Sequence, residues 1–277
     1  MAMSPIVSVA CPDCRAAALN WLHGFYCIGG VGTVLVALAA LHLGLSWRLV
    51  ASGMSMVPML LFAGFALSPM PPLVHPEHER DGLRRLMRRP RFLLAVTAIV
   101  LAGATEAGIM QWLPAYSERE LGYSKTAGAA MLVAFSLAMA IGRLLAAHRL
   151  NRFNPHGIML GAALVCTCLY LFGGLLTRPQ PALAACILVG FACSPLWPTN
   201  LALTADRFPQ GGASLFAVLA GLGNFGCLVM PWGIGIVAES AGLRLGLLAG
   251  TLVPLALVFV AVAAWKADRR DGQARPV

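Results

Sequence analysis

Long apolar runs alternate with short polar or charged punctuation along the whole chain. Eight such runs stand out: Ala16–Leu41, Arg48–Leu67, Phe92–Trp112, Ala127–Ala147, Ile158–Leu176, Pro181–Leu203, Ala213–Ala238 and Leu243–Trp265. Each is long enough to cross about 30 Å of hydrocarbon as a helix rising about 1.5 Å per residue. In lipid a chain must satisfy its own N–H and C=O groups, which leaves helices or closed barrels. The runs are too long for barrel strands and lack their strict alternation. The pattern therefore predicts an all-α, polytopic membrane bundle of about eight transmembrane helices. Residues 1–15 lack a charged start followed by an apolar run, so no signal peptide is expected.

Composition agrees with this pattern. Hydrophobic residues make up 59% of the 277 positions and charged residues 11%, against about 25% charged in a typical soluble domain. A soluble core of this size cannot bury so much apolar surface, and disorder requires the opposite composition. The net charge is +9, and its distribution decides its meaning. Of 20 Lys and Arg residues, only Arg48, Arg119, Lys125, Arg178 and Arg244 fall in one alternate set of loops. The remainder mark the cytoplasmic side, so both termini and the Pro69–Pro90 loop are expected there, in a multi-pass protein of the cell membrane. The basic charge reads as topology and contact with anionic headgroups, with no nucleic-acid partner expected.

The Pro69–Pro90 loop, MPPLVHPEHERDGLRRLMRRP after its first residue, separates two groups of helices. Leu83, Leu86 and Met87 share a helical face ringed by arginines, so a short interfacial helix and a solvated basic linker both fit. Six of the 8 Cys lie in apolar runs, where Cys acts as a small hydrophobe. Cys11-Pro12-Asp13-Cys14 is a C-x-x-C with no further ligands nearby, so no metal site is expected. The Gly-rich runs lack the G-K-[ST] ending of a phosphate loop. No cofactor is expected.

An offset of 197 residues overlays CPDCRAAALNWLHGFYCIGG, from Cys11, on FPQGGASLFAVLAGLGNFGC, from Phe208. Pro12 meets Pro209, Ala16 meets Ala213, Leu22 meets Leu219, Gly24 meets Gly221, Gly29 meets Gly226 and Gly53 meets Gly250. In both copies a cytoplasmic turn enters a Gly-rich span, followed by a short outer turn and another span. Parallel repeats of six helices, a known transporter architecture, fit this arrangement. Runs three to eight then form one full copy. Runs one and two match the last pair of the other copy, whose first four helices have no counterpart, and residues 1–10 correspond to the tail of the fourth.

Glu106 is the candidate for chemistry, as the one acidic residue well inside a run. It lies about 22 Å from the cytoplasmic start at Arg91. An acidic residue at such depth costs about 2.5–3.5 kcal/mol on insertion scales, so it is expected to face a cavity, as hydrogen-bond partner or proton carrier. Gln111, Trp112 and Tyr116 follow toward the outer end. Polar groups beside ring edges suit a sugar, whereas the interfacial aromatic belt explains Tyr116 better and Trp112 equally well. Asn20 and His23 share a face of the first run, and His23 fits either a proton path or a helix–helix bond. Asn200 and Asn224 each need a partner within the bundle. Trp197 sits between Pro195 and Pro198, which permit a bend that serves gating or packing. Arg143, Arg149 and Arg152 are expected to hold the cytoplasmic loop against helix ends. An enzyme needs acid, base or nucleophile placed together, and a single deep carboxylate does not supply that.

Three stretches resemble the major facilitator superfamily, over residues 4 to 266. Gly142–Phe153 (GRLLAAHRLNRF) resembles the second-half copy of the family's loop motif, with Asn151 and Asn154 in place of the usual Asp and Gly. Pro195-Leu196-Trp197-Pro198-Thr199 with Arg207-Phe208-Pro209 resembles the end of helix 10 and its turn. Ala18–Tyr26 (ALNWLHGFY) resembles the opening of helix 5 and, with Thr105-Glu106-Ala107-Gly108 and Trp112-Leu113-Pro114, is similar to the fucose-permease-like sugar branch. The resemblance implies a permease or symporter that moves a small solute, a sugar or other small organic molecule, by alternating access, either proton-coupled or facilitated. It makes Gly142, Arg143, Arg149 and Arg152 a cytoplasmic gate motif. It implies a first-half remnant at 1–68, a basic linker at 69–90, a complete six-helix bundle at 91–267 and a tail at 268–277. In that branch the coupling carboxylates lie on helices 1 and 4, which have no counterpart here. The alternative is a truncated or accessory membrane protein without transport activity of its own, because a bundle cannot rock against a partner two-thirds absent.

Overall fold

The computed structural model describes residues 3–68, 83–149 and 153–274. Those residues form twelve α-helices and one 3-10 turn, with no strand among them. The helices are α1 (Met3–Ala10), α2 (Arg15–His42), α3 (Trp47–Leu67), α4 (Leu83–Met87), α5 (Pro90–Arg119), α6 (Lys125–Arg149), α7 (Pro155–Leu175), α8 (Pro179–Cys193), α9 (Leu196–Arg207), α10 (Gly212–Ala241), α11 (Leu243–Gly250) and α12 (Leu252–Ala274). Eight segments are long and apolar enough to cross a membrane, at the eight places expected. Starts are set locally. Pro occupies the first turn of α5, α7 and α8, where no donor is lost. Ser46 and Asn154 cap α3 and α7 through their side-chain oxygens.

The ends differ from expectation where proline or packing intervenes. The third run continues past Trp112 to Arg119, carrying Pro114 within α5. The sixth run breaks into α8 and α9 at Ser194-Pro195, and the eighth into α11 and α12 at Thr251. Of the linker, residues 69–82 lie outside the described residues. Within α4, Leu86 is fully buried while Arg84 and Arg85 are exposed.

The 197-residue offset reappears in the helix boundaries. Ala10 ends α1 as Arg207 ends α9, and Arg15 opens α2 as Gly212 opens α10. The turn after each long helix is made by a glycine at positive φ, Gly44 at 78° and Gly242 at 87°, a conformation open to glycine at little cost.

Two apolar clusters hold the bundle. One gathers Tyr116, Phe135, Tyr170, Val189 and Leu257. The other gathers Leu19, Leu86, Phe92, Trp197, Leu201, Phe208 and Leu215. Helices α5 and α10 approach so closely that a Cβ on Gly226 would strike the Val100 carbonyl. Small residues allow such backbone contact in membranes. By contrast α3 packs along α2 with none of its residues buried.

Candidate functional site

A cleft of about 500 Å³ opens between α1–α2 and the helices that follow. Ser4 of α1, His23 and Tyr26 of α2, Glu106 and Gln111 of α5, Arg143 of α6, Trp197 of α9, and Asn224 and Cys227 of α10 line it. The exposed Tyr26, Gln111 and Asn224 border its open side.

Its electrostatic centre is an ion pair. Arg143 Nη2 lies 2.9 Å from Glu106 Oε2, with side chains 2% and 17% exposed. Arg143 Nη1 donates to the His23 carbonyl at 3.1 Å and lies 2.7 Å from Cys27 Sγ. Its Nε donates to the Ser194 carbonyl at 3.3 Å. That carbonyl is available for a local reason. Its helical partner four residues on is Pro198, which has no N–H. The neighbouring Gly142 lets α6 reach this break, since a Cβ there would strike Ser194 Oγ and the Phe191 carbonyl. Both members of the pair line the cleft, and the carboxylate is the more exposed of the two.

Other polar groups stand ready around it. His23 Nε2 and Trp197 Nε1 are buried without a hydrogen-bond partner among the described residues. Behind Glu106, the Tyr170 hydroxyl donates to the Thr105 carbonyl at 2.6 Å and fixes that turn of α5 against α7.

The structure brings Glu106, Gln111, His23, Asn224 and Trp197 together in one cleft and leaves three candidates elsewhere. Asn20 is fully buried and donates to the Ala16 carbonyl at 2.8 Å. Asn200 donates to the Ala95 carbonyl, near the start of α5, at 3.1 Å. Trp112 donates to the Pro231 carbonyl at 2.8 Å and lines a shallow groove with Gln111. Tyr116, expected in the aromatic belt, is fully buried, and its hydroxyl donates to the Gly173 carbonyl at 2.5 Å. The gate motif divides. Gly142 and Arg143 sit inside the bundle, Arg152 lies outside the described residues, and so does the side chain of Arg149. Sequence reasoning missed Arg143 as the counter-ion of Glu106, and Cys27 as its neighbour. The signal for Cys27 was its place four residues after His23, on the same helical face.

A family model described as the Major Facilitator Superfamily matches residues 1–213. The chain is 23% identical over 250 residues to an uncharacterized MFS-type transporter of Yersinia pestis, covering 90% of this chain and 63% of that one. It is 22% identical over 164 residues to the uncharacterized MFS-type transporter YfkL of Bacillus subtilis (strain 168), covering 57% of this chain and 41% of that one. It thus spans less than two thirds of the length of these curated relatives. Its fold matches the crystal structure of the MFS transporter FucP in the outward conformation, with a TM-score of 0.77 at 18% identity over 95% of this chain and 72% of that one. A second structure, of the E. coli fucose:proton symporter FucP, matches with a TM-score of 0.74 at 19% identity and the same coverage. At such identity the likeness is one of fold, in agreement with the eight apolar crossings. With the family model spanning most of its length, this multi-pass membrane protein belongs to the major facilitator superfamily.

Proposed function

We propose that the protein moves a small organic solute, a sugar or a molecule of similar polarity, across the cell membrane by alternating access, with Glu106 as proton carrier. The observation behind this reading is the cleft itself, with a carboxylate at the middle of α5 facing a space of about 500 Å³. That volume suits a small ligand. Glu106, Gln111 and Asn224 supply acceptors and donors for hydroxyls, and the Trp197 and Tyr26 rings supply faces for C–H groups. A proton reaching Glu106 from the cleft changes the charge beside the solute, so the two are linked through one site. In this reading 1–68 belongs to a first half and 91–267 to a second, joined by a linker at 69–90 and ending in a tail from 268. Both termini then lie in the cytoplasm, which labelling of Cys14 with an impermeant maleimide checks.

The test is uptake into proteoliposomes of a panel of labelled sugars, with and without an inward proton gradient. Wild type should be accelerated by the gradient, and Glu106→Gln should insert normally yet lose that acceleration. Gradient-driven uptake by Glu106→Gln equal to wild type would remove Glu106 from coupling. A second reading, an accessory membrane protein that does not transport alone, is favoured by two observations: α3 buries none of its residues, and a Cβ on Gly29, Gly30 or Gly32 of α2 would meet nothing within 4 Å among the described residues. Absence of uptake for the whole panel by the pure chain, with uptake regained in native membranes, would favour it.

A further inference from the structure

We propose that Cys11 and Cys14 are a redox pair, whose reversible disulfide closes the turn between α1 and α2 and fastens α1 to the long helix that follows it. The co-reactant of this site is a disulfide of low molecular weight, such as oxidised glutathione.

The motif fills its gap completely. Helix α1 ends at Ala10 and α2 begins at Arg15, so Cys11-Pro12-Asp13-Cys14 is the whole connection. The chain bends at Pro12 and turns through Asp13 and Cys14. A four-residue turn, with proline favoured at its second position, brings the Cα atoms of its outer residues within about 7 Å. A disulfide spans Cα atoms about 4.4–6.8 Å apart. The two cysteines are those outer residues, and both thiols are free, Cys14 exposed and Cys11 half-buried.

The internal repeat shows what the pair replaces. An offset of 197 residues carries Cys11 to Phe208 and Cys14 to Gly211. In that copy the Gly211 N–H donates to the Phe208 carbonyl at 2.9 Å and closes the turn. Among the described residues no such backbone bond joins Cys14 to Cys11. The first copy thus leaves its turn open at the backbone and places two thiols at the positions that the second copy ties.

The open turn matters to α1. A helix of 8 residues is marginal by itself. It is held through Arg15, whose Nε donates to the Ser8 carbonyl at 3.1 Å and whose Nη1 pairs with Asp206 of α9. Its first turn brings Ser4 into the cleft wall. A bond across the turn therefore fixes the direction in which α1 meets the cleft.

The exchange balances in two steps. Cys14, the more exposed, attacks as thiolate on one sulfur of the small disulfide, breaks its S–S bond and releases one thiolate. The Cys11 thiolate then attacks Cys14 Sγ, forms the Cys11–Cys14 bond and releases the second. Two electrons pass from the pair to the small disulfide, and the two thiol protons end on the released thiols. Excess small thiol runs both steps backward. Lost hydration pushes the Cys14 thiol up, and Cys11 and Asp13 push it further. With no stabilised thiolate, the reduced form gains no advantage over the closed one.

The test uses the whole chain in lipid nanodiscs, equilibrated with reduced and oxidised glutathione at about pH 8, near the ordinary thiol pKa. After acid quenching and alkylation, the tryptic peptide that ends at Arg15 carries both positions. At about 0.1 mM reduced glutathione, an effective concentration in the mM range should put the closed peptide, which resists alkylation, about tenfold above its mixed disulfide. Cys11→Ser should leave only the mixed disulfide at Cys14. A closed form no more abundant than the mixed disulfide, or a bond from Cys14 to another chain in its place, overturns the proposal. Hydrogen exchange of residues 3–10 in the same samples reads the fastening. Oxidation should slow it by up to about twentyfold, the chain entropy of so short a loop, and a phosphine reductant should restore it. In Cys11→Ser the exchange should ignore the oxidant. Equal exchange in oxidised and reduced wild type overturns the proposal as well.

Discussion

Glu106 and Arg143 are 37 residues apart in sequence and 2.9 Å apart in space, and their unequal burial sets unequal costs for removing either one. Taking away Glu106 strands a guanidinium that is 2% exposed, whereas taking away Arg143 strands a carboxyl that is 17% exposed and can bind a proton. Glu106→Gln should therefore lower stability by about 3 kcal/mol, the low end for breaking a buried pair, because Gln still accepts one hydrogen bond. Arg143→Gln should cost less, and the double variant should recover part of the loss of Glu106→Gln. Thermal unfolding of the three variants in one detergent checks the order, and a double variant no better than Glu106→Gln would show that the pair does not carry this energy. The two partners were not equally legible in sequence. A lone acid in an apolar run is conspicuous because lipid penalises it. An arginine near a basic loop is inconspicuous, because the same charge is common at cytoplasmic ends. Tyr116 was misread for a similar reason. A ring with one polar tip suits the interface, but it suits a buried site equally once a carbonyl such as that of Gly173 accepts its hydroxyl.

Among the elements, lipid itself made the eight crossings readable, since an apolar run in that solvent has no other economical fold. Their ends were less readable, because a helix continues into the interface for as long as neighbours pack against it, as α5 does past Pro114 to Arg119. The break between α8 and α9 was half visible. Pro195 and Pro198 announced a bend, while the use made of it, a carbonyl released to Arg143, depends on a helix distant in sequence. Pro198→Ala restores an N–H to compete for the Ser194 carbonyl and favours one straight helix. Its expected effect is unchanged or higher stability, by up to about 1 kcal/mol, with lower uptake as Trp197 leaves its place in the cleft. Thermal melts paired with uptake read both, and full uptake in Pro198→Ala would mean that the bend serves packing alone.

At the scale of the whole molecule, the repeat assigns equivalent positions to unequal surroundings. Gly226 of α10 sits against the Val100 backbone of α5, while a Cβ on Gly29, its counterpart 197 residues earlier in α2, would meet nothing within 4 Å among the described residues. Both glycines lie on long helices of the same register, so their intrinsic helix cost is alike, and only the neighbour differs. A leucine at Gly226 must push α5 and α10 apart, with an overpacking cost of about 1–3 kcal/mol or more. A leucine at Gly29 projects into open space on the face of α2 and removes a helix-weakening glycine, so the pure chain should be unchanged or slightly more stable. Thermal unfolding of Gly226→Leu and Gly29→Leu in the same lipid should therefore separate them clearly, and equal losses would mean that α2 is packed on that face as well. Expression of the same pair in cells extends the comparison. If Gly29→Leu is harmless to the pure chain but abolishes uptake in native membranes, the open face of α2 receives another helix there, in the manner in which α10 receives α5.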